Sequence, residues 1–215
     1  MSRPSQNIDK LLIKAGMELI PATGISGLKI RAVTKKAGVN LGMFNYHFGT
    51  KDKFIEKLLS EMYSEFFNDI KIQALHGETS IEQLRNSLVT ISKFVRDNRS
   101  VFLTFLEEIL LGNTKMMEYA KKNMTAHIYL ISGLVRKCQR DGYLAKMPFQ
   151  NAIVFLMGSV LGPNFVFRIF QKHFANKNLF GILAGAVEKT MFSDKELERR
   201  IDMALRGLSA GGVNA

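Results

Sequence analysis

Side chains able to do chemistry are few and scattered in this chain. The four histidines, His47, His76, His127 and His173, form no H-E-x-x-H or other paired metal-ligand spacing. There is no glycine-rich phosphate loop and no G-x-S-x-G nucleophile elbow. Cys138 is the one thiol, which excludes an internal disulfide framework and fits a reducing, cytoplasmic compartment. Arg136 and Lys137 beside it suggest, as a secondary reading, a thiol of lowered pKa that senses oxidants. Together these residues predict no enzyme, no metal and no cofactor.

Residues 28–53, LKIRAVTKKAGVNLGMFNYHFGTKDK, are different. Arg31, Lys35 and Lys36 precede a segment, 40–50, that has no Lys or Arg, and Lys51 and Lys53 follow it. Basic flanks suit phosphate attraction and an uncharged centre suits the reading of base edges. Arg31 can bind guanine O6 and N7 bidentately, or else contact a phosphate or serve as surface charge. On the central segment Asn45 can pair with adenine, Gly42 permits close approach, and Leu41 or Met43 can touch a thymine methyl.

Helices must position these residues. Ile8, Leu11, Leu12, Ala15 and Leu19 form an amphipathic stripe that Pro21 and Gly24 end. A short helix over 30–37 stops at Gly38. A second, over 41–47, takes Asn40 as N-cap. Two short helices meeting at Gly38-Val39-Asn40 are a helix-turn-helix signature. Ile30, Val33, Ala37, Val39, Phe44 and Phe48 should face its core. Thr50 can cap the next helix, with Asp52 at the positive end of its dipole. Beyond residue 75, helices are predicted over about 80–97, 100–111, 115–141 and 148–172, and from Ser193 onward. Thr79–Glu82 and Ser193–Glu196 have capping-box spacing. No strand alternation, repeat or low-complexity block is seen. The tail from Ser209 to Ala215 reads as disordered, and no apolar core after Met1 suggests a secretory signal.

Composition agrees with a globular, basic chain. Hydrophobic residues make up 47% and charged ones 23%, so intrinsic disorder is not expected. Thirty Lys and Arg against 19 Asp and Glu give a net charge of +11, and more than half of that excess falls in residues 1–60. A basic end suits a polyanion, either nucleic acid or an anionic membrane, or a solvated surface with no partner.

The run from about Ile8 to Leu59 resembles the N-terminal domain of TetR-family transcriptional regulators. The resemblance is carried by Gly24, Ile30-Arg31, Val33, Ala37-Gly38-Val39, Asn40, Tyr46-His47-Phe48 and Lys51. It covers about a quarter of the chain. Two positions depart from the family pattern: Asn45 replaces a frequent Tyr, and Thr34 a frequent Ala. The resemblance implies an all-α protein, with a helix-turn-helix domain over residues 1–53 and a larger helical domain over 54–215 for ligand binding and dimerisation. A helix over 51–72 links the two. It further implies a homodimer that docks helix 41–47 in the major groove of a palindromic operator in double-stranded DNA. The contacts would come from Arg31, Lys35, Asn40, Leu41, Gly42, Met43, Asn45, Tyr46, His47 and Lys51. Tyr46, His47 and Lys51 look like phosphate contacts, although His47 equally suits a packed structural role.

The same resemblance places a small-molecule effector among the C-terminal helices. Phe102, Phe105, Met124, His127, Ile128 and Phe155 are the candidate contacts, with Met116, Met117 and Ile131 as further choices. Glu107 or Glu108 would face a cationic ligand if not solvent. Residues 147–167 carry no charged side chain. A helix apolar all round is buried on several sides. Pro163, Asn151, Asn164 and Gln150 argue against a membrane span. The resemblance implies a dimer interface formed by this helix and the last one, with Phe155, Val160, Leu161, Phe165, Leu197, Ile201 and Leu205 as its candidate residues. The rival readings are an activator or ligand-independent regulator of the same fold, and a basic helical membrane or protein-interaction module.

Overall fold

The structure is a computed structural model that describes residues 7–174 and 178–211, with side chains outside 168–184. Residues 1–6 and the end of the tail, 212–215, lie outside the described residues. The helices are α1 (Ile8–Thr23), α2 (Ile30–Ala37), α3 (Leu41–Phe48), α4 (Lys51–Leu75), α5 (Ser80–Asp97), α6 (Arg99–Leu110), α7 (Thr114–Asn123), α8 (Ala126–Arg140), α9 (Phe149–Phe174), α10 (Asn178–Met191) and α11 (Asp194–Gly207). No strand occurs among the described residues, so the fold is all-α as expected.

The chain divides into two compact units that are not contiguous in sequence: residues 1–65 with 100–124, and residues 66–99 with 125–215. In the first, Leu12, Ile20, Leu28, Val33, Phe44, Phe54, Leu58 and Leu59 form the core, and Val101, Phe105 and Tyr119 complete it. Ile30, Ala37 and Val39 pack against this cluster. Thus α6 and α7 supply core to the helix-turn-helix. In the second unit α5, α8, α9 and α11 pack on one another. Leu84, Leu88, Ile131, Val135, Leu156, Val160, Leu197 and Ile201 are buried there.

Most caps follow the sequence. Asn40 accepts from the Met43 N–H, and Thr79 with Glu82 forms the full capping box. Ser193 accepts from the Glu196 N–H, but the Glu196 carboxylate lies 3.6 Å from Arg199, so only half of that motif is present.

Four expectations need correction. Pro21 lies inside α1, and the helix runs on to Thr23 before Gly24 caps it at φ 71°. The predicted helix over 115–141 is two helices broken at Met124-Thr125. There the Asn123 amide donates to the Tyr119 carbonyl, and the Thr125 carbonyl accepts the first bonds of α8. α10 had no counterpart in the sequence reading, because its N-terminal half offers glycines and apolar residues with no polar face. Finally, Ser209 pairs with Leu144 in an isolated bridge, and the Ala210 N–H donates to the Tyr143 carbonyl at 3.2 Å. The start of the tail is therefore ordered.

Cys138 is fully buried. Burial pushes its thiol up from the ordinary value, outweighing the Ser80 hydrogen bond. The neighbouring cations are engaged elsewhere: the Arg136 guanidinium stands 3.9 Å from the Phe149 ring centroid, and Lys137 donates to Gln83. Cys138 is thus a core residue and not a sensor. It should resist a thiol reagent in native protein and react only once denaturant unfolds the chain, as a colorimetric thiol titration would report.

Candidate nucleic-acid interface

Local chemistry sets the angle between α2 and α3. α2 ends where Gly38 takes φ 69°, ψ 26°, a left-handed conformation that costs a side chain with Cβ about 1–2 kcal/mol. Its N–H donates to the Lys35 carbonyl, and the Val39 N–H donates to that of Thr34. The Asn40 Oδ1 then accepts the Met43 N–H at 2.9 Å and starts α3. Behind α3 the rings of Phe44, Phe48 and Phe54 form a cluster with centroids 4.9–5.4 Å apart. Such contacts add to the burial of the rings and fix the helix in place.

With that face consumed, the opposite one stands free. Leu41, Gly42, Asn45 and Tyr46 are exposed, and Met43 is half-buried. Arg31 and Lys35 on α2 and Lys53 on α4 are exposed, with no ion-pair partner among the described residues. Lys36 differs from the expectation, because Glu18 neutralises it at 2.9 Å. Asn40 is exposed, but its oxygen is committed to the cap. The His47 Nε2 is buried with no hydrogen-bond partner, so that nitrogen is not open to a phosphate. The buried Thr34 hydroxyl donates to the Arg31 carbonyl within α2.

Lys51 has a second role that its sequence position did not reveal. Its Nζ donates to the Ser26 carbonyl at 2.6 Å. Ser26 is held in turn by Glu108 on α6, whose carboxylate accepts the Ser26 N–H at 2.9 Å and hydroxyl at 2.6 Å. Asn113 donates to the same carboxylate at 3.0 Å while capping α7. Partial burial raises the Glu108 pKa, but the bonds from Ser26 and Asn113 and the Lys51 charge together hold it below the ordinary value. Glu108 is therefore bonded within the chain and is not a free surface charge. It clamps the loop that leads into α2, and this link across 82 residues leaves no local pattern in the sequence.

The six candidate effector contacts are divided between the two units. Phe105 and Met124 belong to the core of the first unit, where Phe102 is half-buried. In the second unit Ile128 and Phe155 are about half-exposed. His127 packs edge-on against Phe66, and burial pushes its pKa down to about 4, so it is neutral at physiological pH. None of the six lines the groove of about 400 Å³ in the second unit, where Phe66 and Phe94 stack at 4.0 Å beside Asp69, Lys93 and Asp97.

Of the residues expected at a subunit interface, Val160, Leu197, Ile201 and Leu205 are buried within the chain itself. Leu161 and Phe165 are half-buried. Phe155, also expected there, is about half-exposed and shares the outward face of α9 with Val154, Gly158, Gly162 and Val166, of which Val154 and Val166 are 73% and 64% exposed. The segment Phe149–Phe167 is long and apolar enough to cross a membrane, yet its inner face packs in the core of the second unit.

A helix set on an aromatic base, presenting an uncharged outer face between unpaired cations, defines a helix-turn-helix DNA-binding protein. Residues 12–58 match the family described as bacterial regulatory proteins, tetR family. The chain is 21% identical over 154 residues to YttP of Bacillus subtilis, a protein named as a probable HTH-type transcriptional regulator, covering 71% of this chain and 74% of that one. It is 29% identical over 75 residues to the HTH-type transcriptional regulator BetI of Vibrio parahaemolyticus, or 34% of this chain and 38% of BetI. Its fold is similar to that of the ketosteroid transcriptional regulator KstR2 of Mycobacterium tuberculosis, with a TM-score of 0.70 at 12% identity over 96% of this chain and 97% of that one. The match to that family thus spans the helix-turn-helix, α2 and α3, with parts of α1 and α4 on either side of it.

Proposed function

We propose that the chain is a cytoplasmic, homodimeric repressor that binds a palindromic operator through α3 and releases it when a small apolar or amphipathic effector binds. Residues 1–53 serve as the DNA-binding head, and 54–215 as the effector-binding and dimerisation part. The reading rests on the outer face of α3, where Leu41, Gly42, Asn45 and Tyr46 stand exposed between Arg31, Lys35 and Lys53. The cations attract phosphate and set register, and the uncharged side chains read base edges.

The open face of α9 supports a dimer. Val154, Phe155 and Val166 are apolar surface that a second copy can cover, and a Cβ built on Gly158 or Gly162 meets nothing within 4 Å, so a partner helix can approach closely. A two-fold dimer presents two copies of α3 to half-sites one helical turn apart. The effector acts by population shift: it binds better to a state whose α3 spacing misfits the half-sites, and it moves the balance only by that difference in affinity.

Footprinting on the DNA upstream of its own gene, at two salt concentrations, tests the reading. A protected palindrome that survives competitor DNA is expected. Diffuse protection that vanishes with salt would reduce the binding to counterion release. On the protected site, Arg31→Ala is expected to cost about 1–3 kcal/mol and to relax preference at one base pair. Lys51→Ala is expected to weaken all sequences alike and to flatten the salt slope by about 1. Gel shifts on the operator and its single-base variants separate the two patterns.

A further inference from the structure

In the first unit an open groove of about 1000 Å³ lies beside the start of α4. Its charged lining consists of Lys51, Lys53, Lys57, Lys115 and Lys122 against Asp52, Glu56 and Glu118. Asp52 occupies a delicate place. Only Gly49 and Thr50 separate α3 from α4, and Asp52 stands between Lys51 and Lys53 in the first turn of α4. A carboxylate there favours the helix dipole. It also opposes any polyanion that approaches along α3.

Lys115 of α7 meets that carboxylate, with its Nζ 2.8 Å from the Asp52 Oδ2. The side chains of the pair are 73% and 65% exposed. A solvent-exposed pair of this kind adds little to stability. The hydrogen bond to Lys115 and its charge hold the Asp52 pKa below the ordinary value, so the pair remains ionised. What the pair changes is the field at the end of the recognition helix. With Lys115 present the Asp52 charge is offset, so it opposes Lys51 and Lys53 less.

We infer that Lys115, which lies outside the helix-turn-helix, is part of the DNA-binding surface: its ammonium masks the Asp52 carboxylate so that the phosphate backbone can seat at the start of α4. This rests on the DNA-binding reading above. Lys115 is a positioning residue for the field, with no base contact of its own, so its effect is independent of sequence and sensitive to salt.

The test uses the full-length chain and a short random-sequence duplex, read by fluorescence anisotropy over a range of salt, with a thermal melt of each variant. Lys115→Gln is expected to weaken binding about three- to fivefold at low salt and to flatten the salt slope. Asp52→Asn is expected to strengthen binding by a similar factor. The double variant should return to within about twofold of the wild type, because both charges of a neutral pair are gone. A structural role for the pair would move both single variants in the same direction and show in the melts. Lys35→Gln, which removes an unpaired cation beside α3, serves as the positive control. If the wild type binds and Lys35→Gln weakens it while Lys115→Gln and Asp52→Asn leave it unchanged, the inference is wrong. A loss in Lys115→Gln that Asp52→Asn does not rescue overturns it as well. If the wild type binds no duplex even at low salt, the DNA-binding reading itself fails, and the inference with it.

Discussion

Replacing Phe44 by alanine is expected to destabilise the first unit by about 3–5 kcal/mol and to abolish sequence-specific DNA binding. Phe44 is 1% exposed, and its ring meets Phe48 and Phe54 at 5.4 and 5.3 Å. Truncation removes the anchor of an eight-residue helix that is too short to persist alone. A loss of that size is a large part of the 5–15 kcal/mol that holds a typical domain folded. Chemical denaturation followed by circular dichroism measures it, and because the chain has two compact units an early transition confined to the first is the expected form. A loss below about 1 kcal/mol would show that the aromatic cluster is not what supports α3.

Glu108→Ala is expected to be the next most damaging change. It leaves the Ser26 N–H and hydroxyl and the Asn113 amide without their acceptor. Hydrogen bonds to a charged group are stronger than neutral ones, but these are partly open to water, so about 1–2 kcal/mol is the expected cost. DNA binding should fall further than stability alone explains, because the Ser26 carbonyl also holds the Lys51 ammonium. The pH dependence has a definite sign. The folded-state carboxyl lies below its ordinary value of 4.5, so its contribution is fully present above that value and is lost as pH falls through the lower, folded one. Glu108→Gln, which does not titrate, should remove that part of the acid sensitivity. Melts of the wild type and the Gln variant across the acid range check it. Identical acid profiles would contradict the clamp.

The parts of the site that were legible in the sequence are those that neighbouring residues determine. Gly38 needs a left-handed backbone, Asn40 caps the turn beside it, and Phe44 and Phe48 share a helix face, so a helix-turn-helix follows from a dozen residues. The caps at Asn40 and Thr79 were legible for the same reason. Long-range pairs were not. Ser26 meets Glu108 across 82 residues, and Asp52 meets Lys115 across 63, and neither pairing leaves a periodic trace. α9 failed differently. Because it is apolar on all sides, its sequence cannot say which face enters the core, and Val160 turned inward while Val154 turned outward. α10 escaped notice because, without a polar face, its period is invisible.

The outer face of α3 is expected to read a two-fold symmetric DNA sequence. Selection from a random duplex pool, run in parallel with the wild type and with Leu41→Ala and Asn45→Ala, tests it most directly. The wild type should enrich an inverted repeat, with half-sites about 10 base pairs apart centre to centre, and each variant should show a relaxed or altered half-site. A pool that stays random, or a motif that neither substitution changes, would contradict it.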